Sequence, residues 1–205
     1  MPKYVTIVDY QAGNLTSVCL ALETLGWSAA ATQDPDDVRR ADRLVFPGVG
    51  AAPAAMARMT ACGMADAVRE YGASGRPMLG ICLGAQIILD RSEEGHVPCL
   101  ALVQGCARRL NVPSGVKVPH MGWNAVSITR SHPLWEGIDS GSQFYFVHSY
   151  APAPADPAAT VGVTDYCGRF TSALAHGSIA ACQFHPERSG RVGLKVLENF
   201  LSWEP

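Results

Sequence analysis

The longest apolar run of the chain, residues 77–89, has a cysteine near its centre with a glycine two positions to either side, Gly80-Ile81-Cys82-Leu83-Gly84. The run is short of the roughly 20 residues a bilayer span needs, so it belongs in a protein core. Residues 77–81 read as a buried strand, and the stretch after Cys82 reads as the start of a helix. A strand that passes straight into a helix turns so tightly that a Cβ on either side would collide with its neighbours. Glycine at both positions removes the collision. The cysteine is then held out at the sheet's edge, where free backbone N–H groups and the helix dipole favour thiolate over thiol. This is the nucleophile elbow pattern with Cys in place of Ser. The plainer alternative is a buried cysteine in a glycine-rich strand end.

The residues before this run alternate between strand and helix signals. Residues 4–8 form a short β-branched strand, followed by a turn over 9–14. Leu15, Val18, Leu22 and Leu25 then lie on one helical face, with Gly26 as the stop. A weak strand is expected over 27–31. Asp34-Pro35-Asp36-Asp37 is a capped helix start with acidic residues at the positive end of the dipole. Residues 43–46 are a third strand ending in Pro47-Gly48-Val49-Gly50, and helices follow over 53–60 and 64–71. This order predicts an α/β fold with a mostly parallel central sheet flanked by helices. After about residue 97, short strands and turns over 103–129 and 143–183 predict an antiparallel extension of that sheet. A last helix is expected over 192–203, and the proline-rich stretch 151–157 as a surface loop. No repeat or linker interrupts the pattern, so residues 1–205 read as a single domain.

Net charge is −2, with no block of like charge. That argues against a broad electrostatic grip on nucleic acid or an anionic membrane. No export signal or membrane span is expected, since Asp9 interrupts the N-terminal apolar stretch. The seven cysteines have irregular spacings and no C-x-x-C, which fits a reduced, cytoplasmic setting with most of them acting as small buried hydrophobes.

The second chemical signal is Gln183-Phe184-His185-Pro186-Glu187. In an extended segment residues i and i+2 share a face, and the residue before proline is biased towards β geometry. Glu187 can then accept from one nitrogen of His185 and leave the other for a thiol or a leaving group, the logic of a nucleophile–base–orienter triad. Taken alone, His-Pro-Glu reads more simply as a surface turn. The third signal is the 47–50 segment. As a dinucleotide fingerprint it fails, because Pro53 occupies the third glycine position. As a loop beside the elbow, Val49 or Gly50 can offer a backbone N–H to an oxyanion, next to the Leu83 amide. Cys182 with His185 lacks further ligands at metal spacing, so no metal is expected, and no cofactor motif is present. His120, His132 and His176 read as ordinary turn or surface histidines, and Asp9 as a turn residue.

Pro47-Gly-Val-Gly50, Gly80-Ile-Cys-Leu-Gly84 and His185-Pro-Glu187 together resemble the signature pieces of the triad-type (class I) glutamine amidotransferases. Asp9-Tyr-Gln-Ala-Gly-Asn-Leu15, Pro119-His-Met-Gly-Trp-Asn124 and Phe144-Tyr-Phe-Val-His-Ser-Tyr150 narrow the resemblance to the glutaminase subunits of imidazole glycerol phosphate synthases. The resemblance covers nearly the whole chain. It implies a flavodoxin-like glutaminase domain with Cys82, His185 and Glu187 catalytic and L-glutamine as substrate. It also implies glutamine contacts at Gly48, Gln86, Glu94, His148, Ser149 and Tyr150. Trp123, Tyr145 and Arg188 fall where the family meets its (β/α)8-barrel cyclase partner. Gln11 stands where glycine is usual, which matters only if that backbone has positive φ. Ala85 replaces a usual Met, and Arg188 a common Lys. Alternatives from the residues are the glutaminase of a pyridoxal phosphate synthase, whose motifs fit less well around Trp123, a free-standing Cys hydrolase, and a binding protein without chemistry.

Overall fold

The computed structural model describes residues 4–11 and 15–205. Residues 12–14, the end of the turn expected over 9–14, lie outside the described residues. Asp9 acts as the expected turn residue, accepting from the Gln11 N–H at 2.7 Å and from the Gln33 side chain at 2.8 Å.

The first half builds β1 (Tyr4–Val8), α1 (Leu15–Thr24), β2 (Ser28–Thr32), α2 (Pro35–Arg40), β3 (Leu44–Gly48), α3 (Ala52–Ala61), α4 (Met64–Gly72) and β4 (Met78–Cys82). The last runs directly into α5 (Leu83–Ile87). The cap on α2 is the expected one, with the Asp34 side chain accepting from the Asp36 N–H at 2.8 Å. The second half builds β5 (Leu89–Ser92), β6 (Val97–Pro98), β7 (Val103–Arg109), β8 (His120–Ile128), β9 (Ser142–His148), β10 (Tyr150–Pro154), β11 (Thr160–Asp165), β12 (Arg169–His176), β13 (Ile179–Cys182) and α6 (Gly190–Ser202).

Nine strands form one sheet in the order β2-β1-β3-β4-β13-β12-β11-β8-β9. From β2 to β13 every pairing is parallel. From β13 to β9 every pairing is antiparallel, which is the extension expected. Both faces of the parallel half are buried inward of its edge strand β2. Met78 of β4 belongs to a cluster with Phe46, Met59 and Tyr71, while Leu79 and Ile81 belong to another with Leu22, Phe184 and Phe200. Two-sided burial is the reason these strands read as continuous apolar runs.

Three expectations are corrected. Residues 151–154 are not loop, because β10 pairs antiparallel with β7 at the edge of a separate four-stranded sheet, β10-β7-β5-β6. An edge strand needs only every second N–H for its single neighbour, so prolines two apart, Pro152 and Pro154, can both fall on the unused side. The segment 47–50 is loop only from Val49 onward, since β3 continues through Pro47 and Gly48 in register with Ile81 and Cys82. His120 is not a surface residue: it opens β8 and is 3% exposed. Among the described residues, no helix is long and apolar enough to cross a membrane.

Candidate active site

The carboxyl ends of β3, β4 and β13 lie side by side, with Gly48 opposite Cys82 and Cys182 opposite Ile81. Open α/β sheets bind ligands at such ends. Cys82 has φ 55° and ψ −108°, a conformation that a residue with a Cβ keeps only where its surroundings impose it. The flanking glycines show how it is imposed. A Cβ at Gly84 would collide with the Phe46 carbonyl, and one at Gly80 would lie 3.1 Å from the Ala181 Cβ. The helix after the elbow, α5, has five residues, so its dipole is small. Polar neighbours also face the sulfur. One such neighbour is Gln183, whose Nε2 donates to the Cys82 sulfur at 3.6 Å. Its amide is oriented by Gln86, which donates to the Gln183 Oε1 at 3.0 Å.

His185 and Glu187 meet as expected, by a different local route. His185 itself is extended, at φ −98° and ψ 95°, but residues Pro186–Arg188 form a 3-10 turn. The turn, rather than a strand's alternation, carries the carboxylate back to the ring. His185 Nδ1 lies 2.8 Å from Glu187 Oε1, and both side chains are buried. Ser189 fixes the turn: its hydroxyl donates to the His185 carbonyl at 2.6 Å and accepts from the Tyr145 N–H at 3.0 Å. The His185 N–H in turn donates to the Tyr145 carbonyl at 2.9 Å.

His185 Nε2 is buried and makes no hydrogen bond of ordinary geometry among the described residues. It is the atom left for a reacting group. Burial opposes charge on this ring, but its interactions with the Cys82 sulfur and the Glu187 carboxylate outweigh it and raise the pKa to about 10. An unfolded histidine titrates near 6.5. The imidazolium therefore stabilises the fold fully below about pH 6.5, and this contribution is lost as the pH rises to about 10. Glu187→Gln is expected to lower kcat by about a hundred-fold. The difference in Tm between wild type and variant should narrow from pH 6.5 to 10. A difference that widens over that range would contradict the assignment. Cys182 is a core thiol: burial, then Glu187 and Cys82, push its pKa well up, and its sulfur faces the Phe184 carbonyl at 3.5 Å.

Cys82 and His185 open onto a cavity of about 240 Å³. Val49, Gly50 and Leu83, the expected oxyanion donors, line it on one side; Gln86, Glu94, His148, Ser149 and Tyr150 line it elsewhere. Gly48 lies off this wall and borders a smaller neighbouring cavity of about 90 Å³ with Glu187 and Arg188. Gln86 spends both amide hydrogens inside the protein, on Gln183 and on the Tyr150 carbonyl at 2.9 Å, so its oxygen is what it can offer to a ligand donor. One Glu94 oxygen accepts from the Ala52 N–H at 2.7 Å, tying the cavity wall to the first residue of α3. Trp123 and Tyr145 do not line the cavity; they sit edge to face at 6.2 Å, and the Arg188 guanidinium lies 4.6 Å from the Tyr145 ring. Gln11 has φ 63°, so this glutamine takes a left-handed backbone conformation that favours glycine. Its carbonyl is held by Arg58 at 2.7 Å.

Gln183, Ser189 and His120 are given no role in a site by the sequence, although Gln183 and His120 fall inside motifs that it offers. Gln183 sits two residues from His185, but its partner Gln86 is 97 positions away, and no local pattern announces such a pair.

Fold and site define an α/β enzyme with a cysteine elbow, and the chain belongs to the class I glutamine amidotransferases: the model of that family matches residues 6–203. The chain is 48% identical to the imidazole glycerol phosphate synthase subunit HisH of Aromatoleum aromaticum, over 98% of this chain and 99% of that one. It is 47% identical to the protein of the same name from Chromobacterium violaceum, over 98% of each. In fold it is similar to PurLQS from Thermotoga maritima, with TM-score 0.74, 18% identity, and coverage of 98% of each. A glutamine amidotransferase from Thermotoga maritima has TM-score 0.63 and 14% identity, with coverage of 97% of this chain and 82% of that one.

Proposed function

We propose that residues 1–205 form a single glutaminase domain, the glutamine-hydrolysing subunit of an imidazole glycerol phosphate synthase, working in the cytoplasm. The observation that carries the reading is a strained Cys82 opening onto one small cavity together with a buried His185 bound to Glu187. The relatives' shared name supplies the particular synthase.

The Cys82 thiolate attacks the side-chain carboxamide carbon of L-glutamine. The Leu83 N–H and a second N–H from Val49 or Gly50 hold the oxyanion. His185 gives its Nε2 proton to the departing nitrogen, the C–N bond breaks and NH₃ leaves a γ-glutamyl thioester. His185 then takes a proton from water, whose oxygen attacks the thioester carbon. Glutamate leaves and the thiolate is restored. Glu187 holds the ring and stabilises the imidazolium.

Ammonia released into water near neutral pH is largely protonated and has no lone pair to react with. Direct transfer to an acceptor enzyme follows as the useful arrangement, and a (β/α)8-barrel cyclase is the proposed acceptor. Met121 and Trp123 are 63% and 56% exposed on one face of β8, beside the Tyr145–Arg188 stack, an aromatic and cationic patch of the kind protein partners cover. Partner binding raises turnover by rotating the Gly48–Val49 peptide, whose N–H must face the oxyanion.

The test is glutamine hydrolysis by the chain alone, with purified cyclase, and with cyclase plus its nucleotide ligand. The expected result is low activity that rises in each step. Equal activity in all three arms would favour the free-standing hydrolase.

A further inference from the structure

Two buried titratable side chains have no part in this mechanism, His120 and His148. They face each other across β8 and β9 as register partners and are 3% and 5% exposed. The rings are linked at 3.0 Å, His120 Nδ1 to His148 Nε2. The far ends of the pair reveal where each hydrogen sits. His148 Nδ1 lies 2.9 Å from the Tyr150 carbonyl oxygen. A carbonyl only accepts, so Nδ1 carries the hydrogen, and Nε2 of the neutral ring is bare and accepts. His120 must then donate from Nδ1, which leaves its own Nε2 bare.

That bare nitrogen is met by the right group. Asn124 Nδ2 lies 3.2 Å from His120 Nε2 and donates its other hydrogen to the Asp165 carbonyl at 2.9 Å. The Asn124 amide cannot be turned over without loss, because its oxygen accepts from the Ala125 N–H at 2.8 Å. The chain of donors is therefore directed from Asn124 through His120 and His148 to Tyr150. Burial keeps both rings neutral: it lowers the pKa of His120, and lowers that of His148 to about 3. At the receiving end, the Tyr150 carbonyl also accepts from Gln86, the residue whose free oxygen is offered to the cavity.

We propose that His120 and Asn124 are positioning residues for the glutamine site. Their relay fixes the hydrogen on His148 Nδ1, that hydrogen holds the Tyr150 carbonyl, and the carbonyl holds Gln86 with its oxygen turned to the substrate. The proposal rests on the glutaminase reading above. It gives the segment 119–124 a second role. Alternation along β8 places His120 and Asn124 on one face, and exposed Met121 and Trp123 on the other.

The first test needs no variant. In ¹⁵N-histidine-labelled protein, the nitrogen shifts of His120 and His148 should show hydrogen on Nδ1 and a bare Nε2 in both rings from pH 7 to 8. Hydrogen on Nε2 of either ring, or a doubly protonated ring, would overturn the relay. The second test is His120→Phe, which keeps an aromatic ring and removes both ring nitrogens. At saturating cyclase, KM for glutamine should rise about tenfold with kcat within about twofold, and alkylation of Cys82 by iodoacetamide should keep its rate. An unchanged KM, or kcat and alkylation falling together, would also overturn it. A wild-type complex that does not hydrolyse glutamine at all would instead sink the glutaminase reading. If His120→Phe does not fold, the wild-type spectrum decides.

Discussion

Cys82→Ala is expected to lower glutamine hydrolysis by about four orders of magnitude or more, while ammonia-dependent synthesis by the cyclase persists in the same preparation. Alanine keeps the Cβ that the elbow already accommodates at φ 55°, so no new backbone strain arises and the fold should survive. What is lost is the sulfur that accepts from Gln183 and that, with Glu187, holds the imidazole of His185 charged. A second expected consequence is that His185 in this variant titrates below its wild-type value of about 10, because one of its two charge partners is gone. Substantial glutaminase turnover in Cys82→Ala, at the wild-type rate within tenfold, would place the nucleophile elsewhere.

Gly84→Ala should be the most damaging single-methyl change near the site. The added Cβ would collide with the Phe46 carbonyl, whose carbon lies 3.1 Å from the position it would take. Phe46 is in β3, paired on both sides within the sheet, and its ring is packed in the core. Neither backbone nor ring can yield without disturbing the Gly48–Cys82 register that aligns the oxyanion segment with the nucleophile. The expected cost is about 3 kcal/mol of unfolding free energy, with glutaminase activity lost. Urea denaturation measures it. Gly80→Ala should cost less, since the Ala181 methyl at 3.1 Å and the backbone at 3.2 Å need to give only by tenths of an ångström. A Gly84→Ala protein of native stability and activity would show that the close approach of α5 to β3 is not what shapes the elbow.

The parts of the fold legible in the sequence are those whose signal is local. The β-α alternation through residue 82 is written in strand-length apolar runs, in the Asp34 cap, and in the glycines at 80 and 84. The proposed triad is legible for the same reason: the tight turn at Cys82 and the proline after His185 restrict the backbone where they stand. The illegible parts depend on distant partners. The burial of His120 is decided by His148, 28 residues on, and a histidine with no local signal reads as a surface one. The second sheet is hidden because β10 carries two prolines, tolerable only on an edge strand, and edge status is a property of the assembled sheet. The route by which Glu187 reaches His185 is ambiguous in the sequence because proline is compatible both with an extended segment and with the first position of a 3-10 turn.

The sulfur of Cys82, and no other of the seven cysteines, is expected to attack the side-chain amide carbon of glutamine. The most direct measurement is peptide mass spectrometry after treating the cyclase-bound protein with a diazoketone analogue of glutamine. One adduct on the peptide containing Cys82, prevented by excess glutamine and missing from Cys82→Ala, is the predicted result. A preparation that hydrolyses glutamine but leaves Cys82 unlabelled, or carries the adduct on another residue, would rule out Cys82 as the nucleophile.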